Sequence, residues 1–337
     1  MIGPGRVVIE QVESRALQGN PLGDPHARQI PVYLPPGYDH SAARYPVIYW
    51  LHGFTGFGLS AISASPWVPS LPQCMDRVIA AGAPPAILVM ADGFTKFGGS
   101  QYLNSEATGR YEDFVVDEIV AHIDRRYRTL ASPAHRGITG KSSGGYGALV
   151  LAMRHPDVFG AVASHSGDML FEACYMPDFW KFCNITARHG GLEAFLRQFL
   201  EAPKKSNDAV TAVNIAAMAM AYSPNPARPP FHFDLPFDPH TGEIDEATWS
   251  RWLTWDPVRM APRHADALRR LKLIYVECGS RDQYNLHLGA RLLHRRLDAL
   301  GIRHEHVEFD DDHSSINYRY VESLRRLCEA LAGPDGG

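Results

Sequence analysis

Five residues in the middle of the chain, Gly140-Lys141-Ser142-Ser143-Gly144, have the types and spacing of a nucleophilic serine held in a tight turn. Glycines two before and two after the serine suit a strand-to-helix turn in which neighbouring backbones come too close for a Cβ. A serine hydroxyl attacks a carbonyl only when a base removes its proton, and histidine is the side chain with a pKa near neutrality. Of sixteen histidines, His313 follows the last apolar run, HEHVEF, and precedes a helical stretch, so it falls on a loop. The acid that orients such a base belongs after the preceding strand, where LKLIYVE leads into Cys278-Gly279-Ser280-Arg281-Asp282. Asp282 is the expected partner and Asp168, after SHSG, the alternative; the order nucleophile, acid, base suits this assignment.

Charge developing on the attacked carbonyl needs amide donors. The N–H of Ser143, at the start of the helix after Ser142, is one candidate. The N–H of Phe54, in the turn His52-Gly53-Phe54-Thr55-Gly56 behind the apolar run VIYWL, is the other. HEHVEFDDDH offers a different chemistry, a metal site in which His304 and His306 share one strand face and Asp310 to Asp312 supply oxygens. Those acids fall past the end of the strand, so no metal is expected, and no cofactor.

Positioning these groups is a matter of alternating elements. Short apolar runs are expected as strands at Arg6 to Glu13, Gln29 to Leu34, Val47 to Leu51, Ala86 to Met90, Gly137 to Thr139, Ala161 to His165, Leu271 to Glu277 and His304 to Phe309. Runs as apolar as VIYWL and AILVM suit central strands covered on both faces. YEDFVVDEIVAHIDRR, with acids early and arginines late, reads as one covering helix. The expectation is an α/β fold with a mostly parallel eight-stranded sheet and helices on both faces.

From about Asp168 to Asp266 the alternation stops and aromatic and proline residues crowd together. This predicts a core of residues 1–167 and 267–337 interrupted by an inserted cap, 168–266. Within or near it, Trp180, Trp252 and, on the oxyanion turn, His52 are the expected substrate contacts. A net charge of -4 with no long basic run excludes a nucleic-acid footprint. No apolar run reaches a membrane span, and MIGPGRVVIEQVES has no basic region leading into an apolar one, so a cytoplasmic protein is expected. Five scattered cysteines without a C-x-x-C pair are expected as reduced thiols. Composition leaves a homo-oligomer open.

With those residues placed, the chain resembles the putative-esterase family of α/β-hydrolases, which includes S-formylglutathione hydrolases, feruloyl esterases, enterochelin esterases and mycolyltransferases. PVYLPPGYD, YPVIYWLHG, DFVVDEIVAHIDRRY, GITGKSSGGYGALVLAMRHPDVFGAVASHSG, ECGSRD and FDDDHSS carry the resemblance, from about Ile30 to Leu331. It implies Ser142, Asp282 and His313 as a catalytic triad, Phe54 and Ser143 as amide donors, and a small-molecule ester as substrate. Acyl transfer and thioester hydrolysis would use the same residues. A non-catalytic binding protein of the same fold would be expected to lack a triad member, and all three are present. The family often has tryptophan after His-Ser, whereas Ser314 is followed by Ser315 and Ile316.

Overall fold

A computed structural model describes residues 4–63 and 65–332, so the outermost ends of the two expected core segments, 1–3 and 333–337, and residue 64 lie outside the described residues. The apolar runs form strands β1 (Arg6–Glu13), β2 (Ala27–Leu34), β3 (Val47–Leu51) and β4 (Ile87–Ala91). A two-residue pair follows, β5 (Asn104–Ser105) with β6 (Gly109–Arg110), and then β7 (Arg136–Lys141), β8 (Ala161–His165), β9 (Leu273–Gly279) and β10 (Glu305–Phe309).

Eight of these make one sheet in the order β1-β2-β4-β3-β7-β8-β9-β10. β1 and β2 pair antiparallel, as do β2 and β4; every other pairing is parallel. All residues of β3, β4 and β8 are buried, whereas β1 alternates and β10 is only half covered, as edge strands should be. Each fully buried Val, Ile or Leu contributes about 1.5–3 kcal/mol of transfer free energy, so the central strands anchor the fold. Because β3, β7, β8, β9 and β10 run the same way, the loops at their carboxyl ends emerge at one edge.

Tyr111 to Arg126 is helical throughout, but Phe114–Ile119 is wound as a π-helix between α-helical Tyr111–Asp113 and Val120–Arg126. The wider turn accompanies burial of the contiguous Phe114, Val115 and Val116, which the narrow stripe of a regular surface helix does not accommodate. Between β8 and β9 the chain adds no strand to the sheet. It forms the helices Phe171–Cys174, Met176–Arg188, Leu192–Glu201, Asn207–Tyr222, Glu246–Leu253, Pro257–Met260 and Ala265–Arg269.

The helix Asn207–Tyr222 starts where the Ser206 hydroxyl accepts from the Ala209 N–H, and its Ala- and Met-rich second half is wholly buried. Phe179, Trp249 and Trp252 pack edge to face nearby, with centroids 5.4 and 5.7 Å from Phe179. Among the described residues no helix is long and apolar enough to cross a membrane. All five cysteines are free thiols.

Candidate active site

β7 ends at Lys141 and a helix, Ser143–Arg154, begins two residues later. Ser142 between them has φ 58° and ψ -127°, a strained conformation that the flanking contacts impose. A Cβ on Gly140 would come 2.5 Å from the Leu51 carbonyl oxygen, and one on Gly144 would come 2.1 Å from the same atom. The turn is therefore wedged against the end of β3, and only glycine fits at either side of the serine. The Ser142 N–H donates to the His165 carbonyl at 3.0 Å, which ties the turn to β8.

At the carboxyl end of β10, the His313 Nδ1–H donates to Asp282 Oδ2 at 2.8 Å. Burial opposes ionisation of Asp282, but the His313 hydrogen bond and charge, with the Tyr284 and Leu286 amides, outweigh it and hold the carboxyl below its ordinary range. The same hydrogen bond assigns the proton of neutral His313 to Nδ1 and leaves Nε2 as the basic nitrogen. Three further contacts fix this loop. The His313 N–H donates to Gln283 Oε1 at 3.0 Å, Lys141 Nζ donates to the His313 carbonyl at 2.7 Å, and the Tyr284 ring stands edge-on 4.9 Å from the imidazole.

The turn after β3 abuts the serine: a Cβ on Gly53 would lie 3.1 Å from the Lys141 carbonyl and 3.4 Å from Ser142 Cβ. Among the described residues neither the Phe54 nor the Ser143 N–H is committed to another acceptor. His52 lines this region, but its ring is fully used. Nδ1 lies 2.8 Å from the Gly53 carbonyl and Nε2 accepts from the Gly93 N–H at 2.9 Å. Burial lowers the pKa of the ring, and His52 braces the turn while its side chain lines the same cavity as Ser142.

Asp168 lies behind Ser143 and not on His313 Nδ1. Its Oδ2 accepts from Tyr175 Oη at 2.8 Å, Ser143 Oγ at 3.1 Å and Gln101 Nε2 at 3.2 Å. Burial raises its pKa against those hydrogen bonds. Asp310 to Asp312 are engaged at the far end of β10 from His304. Asp310 pairs with Arg281, Asp311 accepts from Tyr318 Oη, and Asp312 accepts from the Ser314 N–H.

Ser142, Ser143, His313, Phe54 and His52 line one cavity of about 470 Å³. The segment between β8 and β9 contributes Tyr175, Asp178, Val210, Thr211 and Asn214 to its wall. Trp180 and Trp252 do not reach it. Trp252 is wholly buried in the aromatic cluster, with Nε1 donating to Ser223 Oγ at 2.8 Å, and Trp180 is half exposed against Gly242. Of the two indoles expected at the substrate, Trp252 instead fills the interior of the helical segment, where its area is best buried, and Trp180 lies on the surface. Lys141 also lines the cavity unforeseen, although a lysine inside a serine turn is a visible signal. Burial holds it below the ordinary lysine range, against the pull of Asp282 and Asp312.

Beneath the site, His165 Nδ1 and Arg319 Nη2 contact Glu277 at 2.7 and 2.6 Å. Burial of Glu277 raises its pKa, but His165, Arg319 and Tyr275 overcome this and bring it from 4.5 to about 2. A depressed carboxyl contributes stability above its unfolded pKa that is lost as pH falls through the folded one, and a difference of this size amounts to about 3 kcal/mol. Thermal melting of the wild type should therefore decline between pH 4.5 and 2 more steeply than that of Glu277→Gln. Parallel declines would mean that Glu277 carries no such coupling.

A family model described as "Putative esterase" matches residues 25–319. An endo-1,4-beta-xylanase/feruloyl esterase of Xylanibacter ruminicola is 34% identical over 155 residues, which cover 44% of this chain and 20% of that protein. The chain spans between 20% and 58% of the length of four curated relatives it matches. A solved ferulic acid esterase superposes with a TM-score of 0.63 at 18% identity, covering 97% of this chain and 98% of that one. An S-formylglutathione hydrolase from Agrobacterium tumefaciens superposes with a TM-score of 0.62 at 16% identity, covering 97% and 96%. At that identity the two likenesses speak to the fold, the α/β-hydrolase architecture.

Proposed function

The chain belongs to the Putative esterase family, and from that premise we propose that it is a serine carboxylesterase working through an acyl-enzyme. The observation that carries the reading is the His313 Nδ1 to Asp282 Oδ2 hydrogen bond of 2.8 Å beside a strained Ser142 in the same cavity. Ser142 Oγ attacks the ester carbonyl while His313 Nε2 takes its proton, and the N–H groups of Phe54 and Ser143 receive the developing oxyanion. Asp282 holds the imidazole in the productive tautomer and stabilises the imidazolium. His313 returns the proton to the departing alkoxide, and a water it then deprotonates releases the acid and restores Ser142.

Residues 168–266 act in this reading as a cap on the core of residues 1–167 and 267–337. Its supporting evidence is the wall that they build, in which Tyr175, Asp178, Thr211 and Asn214 are polar and Val210 is apolar. A cavity of about 470 Å³ with several polar side chains accepts a short or aromatic, hydroxyl-bearing acyl group better than a long alkyl chain. A panel of p-nitrophenyl esters of graded acyl length, with a feruloyl ester and S-formylglutathione, tests this. Acetyl, butyryl and feruloyl esters should exceed dodecanoyl esters at least about tenfold in kcat/KM, which is about 1.4 kcal/mol of discrimination. Preferential turnover of S-formylglutathione would replace this reading with that of a thioesterase.

A further inference from the structure

A second cluster of chemically capable side chains lies at the opposite edge of the sheet. The helix Leu286–Ala299 carries His294 and, one turn later, Asp298. The connection that follows brings His304 to them immediately before β10 begins at Glu305. His313 follows the other end of β10, so five residues at about 3.3 Å each set this cluster roughly 17 Å along the strand from the catalytic edge.

With neutral rings the cluster leaves at least one imidazole lone pair without a donor among the three groups. His304 Nδ1 lies 2.8 Å from the Ile302 carbonyl, which can only accept, so Nδ1 carries the proton and Nε2 is a bare lone pair. That lone pair points at His294 Nδ1, 2.7 Å away. If His294 protonates Nδ1 to satisfy it, its own bare Nε2 faces the Asp298 carboxylate at 3.5 Å, lone pair against anion. If His294 protonates Nε2 for Asp298, two bare nitrogens oppose each other at 2.7 Å. A positive centre among the three groups resolves both conflicts.

We propose that His294, Asp298 and His304 bind a divalent transition-metal ion of the zinc class, with water completing a four-coordinate shell. One ligand atom from each residue lies within 4.8 Å of the other two. Two imidazoles and one carboxylate are the donors that zinc takes, and magnesium and calcium prefer all-oxygen shells. Tetrahedral zinc with bonds of about 2.0–2.1 Å holds its ligands roughly 3.3 Å apart, so the two nitrogens part slightly and Asp298 closes from 3.9 Å.

The side chains are arranged for that motion. His304 is fixed, 4% exposed and oriented by its bond to a backbone carbonyl, as metal-ligating histidines usually are. Asp298 is 61% exposed and free to swing, and it leaves the site open to an entering ion. His306 packs its ring flat on His294, 4.9 Å between centroids, and steadies the one ligand that both neighbours compete for. Bound metal would staple the end of the helix to the edge strand β10 and act on stability, not on the chemistry at Ser142.

The test uses the full chain, stripped with a chelator, dialysed, and titrated calorimetrically with zinc chloride and, separately, magnesium chloride. One equivalent of zinc should bind and magnesium should not. At 100 times the dissociation constant zinc should raise Tm by about 4 °C. Asp298→Asn alters an exposed side chain and His304→Gln removes a fixed ligand; each should weaken zinc binding more than about 100-fold, beyond what outer partners cost. His40→Gln and His240→Gln, at exposed histidines elsewhere, should bind as the wild type does. Zinc binding that persists in both site variants, or a wild type that binds no equivalent of zinc, overturns the site.

Discussion

Ser142→Ala is expected to fold as the wild type does and to hydrolyse esters about 10⁶-fold more slowly, since removing the nucleophile of such a unit costs nearly all that the unit supplies. The neighbouring hydroxyl cannot take over. Ser143 Oγ donates to Asp168 Oδ2 at 3.1 Å, and its backbone already opens the helix Ser143–Arg154. Folding should survive because alanine retains the Cβ that the turn tolerates, while Gly140 and Gly144, where a Cβ would strike the Leu51 carbonyl, are untouched. Steady-state rates on the best ester of the panel, with thermal melting of both proteins, check the expectation. A folded variant that keeps more than about 1% of wild-type activity removes Ser142 from the nucleophile's role.

Asp282→Asn should lower kcat by about 10⁴ with little change in Tm. The amide can present its nitrogen to His313 Nδ1, which then must accept, so the proton moves to Nε2 and the base facing the cavity is lost. The imidazolium formed during attack also loses its counter-charge. Asp168→Asn is the discriminating control. Asp168 Oδ2 accepts from Tyr175, Ser143 and Gln101, so its loss disturbs packing behind the oxyanion donors and not the tautomer of His313. A fall of about tenfold or less is expected there. The reverse ranking would transfer the orienting role from Asp282 to Asp168.

What the residues disclose before any coordinates are seen depends on how local the physical cause is. The strands are legible because burial on both faces demands unbroken apolar runs, and Val47–Leu51 and Ile87–Ala91 meet that demand within their own five residues. The serine turn is legible because close approach excludes a Cβ at two fixed positions. The pairing of Asp282 with His313, thirty-one residues apart, follows once β9 and β10 are taken as parallel neighbours.

The rest depends on contacts between segments distant in sequence. The reach of Lys141 to the His313 carbonyl cannot be read from its neighbours, nor can the choice of Trp252 to bond Ser223 inside the aromatic cluster. Thr211 and Asn214 left a faint trace as polar residues three apart on an otherwise Ala- and Met-rich helix, and that polar face meets the cavity. Likewise the sequence groups His304 with His306 and the acids after β10, because strand alternation puts the two histidines on one face. Its close partners are His294 and Asp298, on a helix that only the folded chain brings alongside.

The central claim is that a single serine is made nucleophilic by the geometry at the carboxyl edge of the sheet. Its most direct test is stoichiometric reaction with diisopropyl fluorophosphate, followed by intact-mass and peptide mass spectrometry of the wild type and of Ser142→Ala. One phosphoryl adduct per chain, on the peptide bearing Ser142, and no adduct on the variant are the expected results. Equal labelling of the variant, an adduct at any other residue, or a folded wild type that resists the reagent would contradict the account.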